Sequence, residues 1–214
     1  MRVLRGGRST FWALVCGILL VFTLASQTQA VPLTVGGAVA TPGTGSLGAG
    51  TVLTNETEAF TSANFSGTIQ LEVFKETGSG TLDFLFQIFN SSSSANAIER
   101  LTTTNFTGFA TDVDWTNNAA IAEAPDHANR PSADVVGFNF FNSPVLAGTN
   151  SALLFIKTDA TAYTAGGVSM IDGTTVTIPA FAPTAVPEPS TWALVALAVA
   201  MAALVVRGRN SKTC

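Results

Sequence analysis

The stretch Thr68-Ile69-Gln70-Leu71-Glu72-Val73-Phe74-Lys75-Glu76-Thr77-Gly78-Ser79-Gly80-Thr81-Leu82-Asp83-Phe84-Leu85-Phe86-Gln87-Ile88-Phe89-Asn90 decides how the middle of this chain is read. Over residues 68–74 apolar and polar side chains alternate, with Ile69, Leu71 and Val73 on one face and Gln70 and Glu72 on the other. A period of two is the signature of a half-buried strand. Residues 76–80, Glu-Thr-Gly-Ser-Gly, supply turn chemistry, and residues 81–90 return with Leu82, Phe84, Phe86 and Ile88 aligned. The segment predicts a β-hairpin with a longer loop.

Working outward, Ser91 to Ser94 read as a loop, followed by strand candidates at residues 98–104, 105–113, 135–141, 152–158, 168–171 and 174–178. Residues 31–50 are Gly, Thr, Ala and Pro with little pattern and read as a flexible lead-in. Away from the two ends no long stretch shows a period of 3.6. Many short strands separated by Gly, Asn, Ser and Thr predict an all-β antiparallel sandwich, Ig-like or jelly-roll-like, over residues 51–178, with a linker at 179–186. Thirteen of the fifteen Phe residues lie between Phe60 and Phe181 and are read as core, since Phe has no polar handle. Trp115 and Tyr163 are the candidates for exposed sugar-stacking rings.

Both ends are apolar and have their own logic. Arg2, Arg5 and Arg8 precede an apolar run from Phe11 to Ala25, and a short polar stretch ends at Ala30. Thr28 and Ala30 place small side chains at −3 and −1 of a cut between Ala30 and Val31, the layout of a secretory signal peptide over residues 1–30. That signal helix implies the Sec machinery and signal peptidase as partners. An uncleaved anchor is the alternative, although an apolar stretch of about 15 residues is short for spanning. At the far end the order is Val186-Pro187-Glu188-Pro189-Ser190-Thr191-Trp192, an apolar run to Val206, then Arg207-Gly208-Arg209 and Lys212. The two prolines hold Glu188 in an extended, accessible segment. Residues 191–206 predict a single transmembrane helix of about 24 Å, with Trp192 at one interface and Arg207 and Arg209 at the cytoplasmic one.

The tail, residues 187–214, resembles a PEP-CTERM sorting domain: a Pro-Glu-Pro motif, one apolar helix and a terminal basic cluster. The resemblance implies that Pro187, Glu188 and Pro189 are recognised by exosortase, a multi-pass membrane transpeptidase with a cysteine nucleophile. It also implies passage through the inner membrane to the cell surface or extracellular matrix, often in bacteria that make exopolysaccharide. A glycolipid-anchor signal would end without the basic cluster. A plain single-pass inner-membrane tail would not need the Pro-Glu-Pro element.

Charge narrows the function of the middle. Residues 31–186 carry four basic side chains (Lys75, Arg100, Arg130, Lys157) against thirteen acidic ones, a balance of −9. No basic stripe is available for phosphates, so nucleic acid is not an expected partner. Cys16 and Cys214 lie in the terminal segments, which leaves the middle without a disulfide framework or a thiolate site. His127 is the sole histidine, and no Gly-x-Ser-x-Gly elbow accompanies it. Asp112, Asp114, Thr116, Asn118 and Glu123 fall at the offsets of a calcium loop, with Asn117 where that loop has Gly. Calcium at Asp112, Asp114, Asn118 and Glu123 is the one cofactor these residues suggest; otherwise none is expected. Asn-x-Ser/Thr triplets begin at Asn55, Asn64, Asn90 and Asn105, and in a bacterial chain rich in Thr and Asn they are read as coincidence. The expectation is a non-enzymatic, exported surface or matrix protein, structural or exopolysaccharide-associated. The alternative is a secreted hydrolase or calcium-dependent carbohydrate binder, which requires Asp112, Asp114, Glu123, Asp126 and His127 to converge on a cleft.

Overall fold

The computed structural model describes residues 30–41, 45–116 and 122–186. Its strands are β1 (Val31–Pro32), β2 (Ala38–Val39), β3 (Gly50–Thr61), β4 (Ser66–Glu76), β5 (Leu82–Asn90), β6 (Arg100–Thr103), β7 (Thr111–Trp115), β8 (His127–Asn129), β9 (Val136–Asn139), β10 (Leu154–Thr158), β11 (Ala162–Asp172) and β12 (Thr174–Thr184). They form two six-stranded sheets, in the orders β1-β7-β10-β5-β4-β3 and β12-β11-β6-β9-β8-β2. Every strand pair is antiparallel. The chain is all-β among the described residues, where no helix is long and apolar enough to cross a membrane. The signal segment 1–29 and the span expected at 191–206 lie outside them.

The hairpin read from the sequence is β4 and β5, in register from Gly67↔Asn90 to Lys75↔Leu82. Ile69, Leu71 and Val73 of β4 and Leu82, Phe84, Phe86 and Ile88 of β5 all point into one buried cluster. The second sheet contributes Leu101, Ala128, Val136, Phe138, Val168 and Met170 to the same cluster, so the two sheets share one core. Aromatic edges lock it: Trp115 meets Phe138 across the layers at 6.4 Å, and Phe84 meets Phe106 at 5.7 Å. Each such side chain taken from water is worth about 2–3 kcal/mol. Trp115 is 2% exposed, so it is a core residue and not the stacking ring expected from sequence.

Four departures from expectation have physical causes. The lead-in at 31–50 is partly structured, because β1 pairs with β7 and β2 with β8, and Leu33 is buried. Residues 50–61 form the long edge strand β3, whose side chains are largely exposed and therefore show no apolar alternation. Residues 105–113 are not one strand. Asn105 sits at φ 72° and Gly108 at φ 90°, so the chain turns before β7 begins at Thr111. Finally, β11 and β12 pair along their whole length, from Asp172↔Thr174 around Gly173 (φ 61°) to Ala162↔Thr184, so strand structure occupies most of the expected linker 179–186.

β5 is buried on both faces. Its inner face fills the core. On the outer face Leu85 joins Phe74 and Phe155 in a second cluster, with Leu47 and Leu153 packed against it. The segment carrying Leu47 is fixed by Asp114, whose Oδ2 accepts the Gly45 N–H at 2.9 Å while Oδ1 accepts the Trp115 N–H at 2.8 Å.

Candidate functional site

Beside that outer cluster the first sheet carries a row of charge. Register pairing places Asp112 of β7 opposite Lys157 of β10, and Lys157 opposite Asp83 of β5. Side chains at paired positions share a face, on strands about 4.8 Å apart. Asp112, Lys157 and Asp83 therefore stand in line on the outer surface. Glu76, at the end of β4, reaches into the row, and Lys157 Nζ lies 3.3 Å from Glu76 Oε1 and 3.9 Å from Asp83 Oδ2. These groups and Asp159 line a cavity of about 890 Å³ whose other walls include the small residues Gly48, Ala49, Gly78 and Ala110. Asp159 is oriented by the Ala110 N–H, 2.9 Å from its Oδ1.

The electrostatics are unbalanced. Asp83 is 1% exposed, and among the described residues neither carboxylate oxygen has a hydrogen-bond partner. Withdrawing a carboxylate from water disfavours its charged form. Burial, reinforced by the negative charge of Glu76 and opposed by Lys157, pushes the Asp83 pKa from 3.8 to about 7. Glu76 shifts the other way: burial raises it, but hydrogen bonds from Ser79 and Lys157 and the charge of Lys157 outweigh that and hold it below its usual value. Burial also raises Asp112, with Lys157 opposing. The floor of the cavity is thus a carboxyl that shares protons at neutral pH, flanked by carboxylates that outnumber the one lysine among the described lining residues.

The residues singled out in the sequence are distributed differently. Asp112 and Asp114 lie two apart on the extended β7, and Glu123 makes an isolated bridge to Ser151. Asn118 is outside the described residues. Both Asp114 oxygens are taken by backbone N–H groups. A calcium loop must instead curl so that alternate side chains converge on one point. Among the described residues no three His, Cys, Asp or Glu side chains come together to hold a metal. Asp126 accepts the Asn142 N–H at 2.8 Å and its Nδ2 at 3.0 Å, ahead of His127 on β8 in the second sheet. The five residues on which the hydrolase alternative depended are split between the sheets: β7, which carries Asp112 and Asp114, belongs to the first. Tyr163 is 36% exposed on β11, edge-on to Phe181 at 5.5 Å.

Sequence reasoning missed Asp83, Lys157 and Glu76 as a group. The signal was present: an acid interrupts the apolar run Leu82-Asp83-Phe84-Leu85, and a base closes the apolar run Leu154-Phe155-Ile156-Lys157. At the ends, Ala30 is 3% exposed and lines the cavity, and Val31 begins β1 opposite Val113. Pro187, Glu188, Pro189, Trp192, Arg207 and Arg209 lie outside the described residues.

Comparison with known families bears on that tail. The PEP-CTERM protein-sorting motif matches residues 185–210, beginning one residue after β12 ends at Thr184. No curated protein and no solved structure matches the chain.

Proposed function

We propose that this chain, an exported protein sorted to the cell envelope through its PEP-CTERM motif and processed by exosortase, is a non-enzymatic structural component of the cell surface or extracellular matrix that associates with exopolysaccharide through a β-sandwich domain. The observation that carries the reading is the sorting motif at residues 185–210, joined directly to the last strand of the domain. The two sheets with one shared core support the sandwich. A signal-peptidase cut between Ala30 and Val31 agrees with the fold, since β1 starts at Val31 and such a cut leaves both sheets whole. The apolar segment 191–206 then holds the protein in the inner membrane until exosortase acts. The acidic surface of the domain favours partners with hydroxyl or cationic groups over nucleic acid.

The test is the intact mass and cell fraction of the protein from its host, compared with a variant carrying alanine at Pro187, Glu188 and Pro189. The natural form is expected to lack its tail and leave the inner membrane, and the variant to stay full-length within it. If both keep the tail and remain in the membrane, the sorting reading is refuted.

A further inference from the structure

The strand that opens the fold is held at its first residues. β1 pairs with β7 as Val31↔Val113 and Pro32↔Asp112. Just beyond it the Leu33 N–H donates to the Thr111 carbonyl at 2.8 Å, and Thr111 Oγ1 donates to the Leu33 carbonyl at 3.0 Å. Leu33 is buried in the shared core, and the proline at position 32 stiffens the backbone ahead of it. A chain end tied down in this way does not fray as most termini do. Ala30, the residue before β1, is 3% exposed and lines the outer cavity together with Asp112.

We propose that this edge of the cavity is the docking site for the protein's own mature N-terminus: the α-ammonium that signal cleavage creates on Val31 pairs with the Asp112 carboxylate, so that removal of the signal peptide tightens the fold. The inference rests on the proposed cut between Ala30 and Val31 and gives that cut a structural consequence. Hydrolysis of the Ala30–Val31 peptide bond leaves a carboxylate on the departing segment and an ammonium on Val31, where there was a neutral amide. Positions 112 and 114 share one face of β7, on either side of Val113, the partner of Val31. Neighbouring strands are about 4.8 Å apart, so the Val31 nitrogen stands within reach of both aspartates. Asp114 is committed, since its oxygens accept the Gly45 and Trp115 N–H groups. Asp112 has capacity left: burial pushes its pKa up, and only the charge of Lys157 opposes this. Lys157 is itself divided, 3.3 Å from Glu76 and 3.9 Å from Asp83. β7 lies between β1 and β10, so Lys157 faces Asp112 from one side and the new ammonium faces it from the other. Because pairing already holds β1, the ammonium is positioned with little further loss of chain entropy. The uncleaved chain lacks this contact and is less stable than the cleaved one, which suits a chain that passes a membrane before it folds.

The experiment is urea denaturation at pH 7 of the intact exported protein, its first residue identified by N-terminal sequencing. Four forms make a double-mutant cycle: the parent, Asp112→Asn, a Ser-Gly insertion between Ala30 and Val31, and the insertion combined with Asp112→Asn. In the insertion form the same cut leaves the ammonium two residues away from Val31. The insertion is expected to lower the folded-to-unfolded ratio of the parent about fivefold, the upper end for a charge pair open to solvent on one side. In Asp112→Asn it should change the ratio little, because coupling between neighbours needs both partners. The loss should persist in full in Glu56→Gln, on the exposed edge strand β3. No loss in the parent, an equal loss in the Asp112→Asn background, or a loss abolished by Glu56→Gln as well would overturn the proposal, the last by revealing diffuse charge attraction. A parent that begins at a residue other than Val31 overturns it by removing the cut itself. One that begins at Val31 and shows no coupling to Asp112 removes this inference and leaves the cut standing.

Discussion

Asp83→Asn should stabilise this protein, and by an amount that depends on pH in a defined way. Asp83 has a pKa of about 7 in the fold against 3.8 ordinarily. Between those values the native state holds a proton that the unfolded chain has released, so stability from this group is complete below pH 4 and is lost as pH rises through 7. At about 1.4 kcal/mol per pH unit, the interval corresponds to a ceiling of about 4 kcal/mol. Solvent screening at the cavity reduces this to about 2–3 kcal/mol. Asparagine has nearly the shape of the protonated acid and cannot ionise. The variant should therefore differ least from the parent at pH 4.5 and exceed it by about 2–3 kcal/mol at pH 8.5, a rise of about 5–10 °C in melting temperature for a domain of this size. Urea denaturation of both proteins at pH 4.5, 6, 7 and 8.5 reads the difference directly. Glu76 acts in the opposite sense, contributing stability that disappears as pH falls below its lowered pKa, and it is common to both proteins. A difference that stays flat from pH 4.5 to 8.5, or a less stable variant at pH 8.5, would refute the claim that Asp83 is a desolvated, proton-sharing carboxyl.

Arg130→Ala should cost about 3 kcal/mol by urea denaturation, because its buried guanidinium serves Thr111 Oγ1 and the carbonyls of Phe106, Phe109 and Ala133, all of which lose a charged donor. Asp114→Ala removes the acceptor for the Gly45 and Trp115 N–H groups; we expect a loss of about 2 kcal/mol and faster limited proteolysis around residues 45–50, where Leu47 covers Phe74, Leu85 and Phe155. Millimolar calcium should leave the melting temperature unchanged, since Asp112 and Asp114 lie on an extended strand; a rise would support calcium binding at these residues. A ten-residue Gly-Ser insertion between Val186 and Pro187 should increase the fraction of tail-processed protein in the host, measured by intact mass. β12 ends at Thr184, so at most about 10 Å of chain separates the last strand from Pro187 and the enzyme that must reach it.

What the sequence made legible was whatever a half-buried sheet imposes on composition. Residues 68–90 face a core on one side, so Ile69, Leu71, Val73, Leu82, Phe84, Phe86 and Ile88 could be assigned to it by period alone. The segments that were misread are those where this imprint is absent. β3 is an edge strand with one side unpaired and most side chains exposed, and its Thr, Asn and Glu residues resemble those of a loop. β1 and β2 are two residues each, too short to show a period, and are held by pairing with distant strands. Residues 105–113 look continuous to a pattern search because the turn depends on the backbone of Asn105 and Gly108, whose positive φ is a tertiary outcome for the former. The sorting tail was legible for a different reason, since its order of parts is a linear signal read by a membrane enzyme and needs no fold. The cavity depends on register: residues at positions 83, 112 and 157 become neighbours only once β5, β7 and β10 pair.

The same register explains why the cavity has chemical character at all. A strand buried on both faces ordinarily carries apolar residues on both, and the first half of β5, Leu82 to Phe86, does so except at Asp83. A hydrophobic residue there would join the cluster of Phe74, Leu85 and Phe155 and avoid the desolvation cost. At neutral pH the carboxylate opposes folding, and Lys157 and the core must offset it. Such a group differs from Asp114, which is equally buried but has both oxygens satisfied by backbone N–H groups and fixes the segment bearing Leu47. Two aspartates with 1% exposure on one face therefore play opposite parts. One closes a structural contact with no capacity left over, and the other lies beneath the cavity with neither oxygen hydrogen-bonded. Local cost without a structural return is the mark of a position kept for something other than packing, and Asp83, more than the net acidity of the surface, sets this cavity apart from the rest of the sheet.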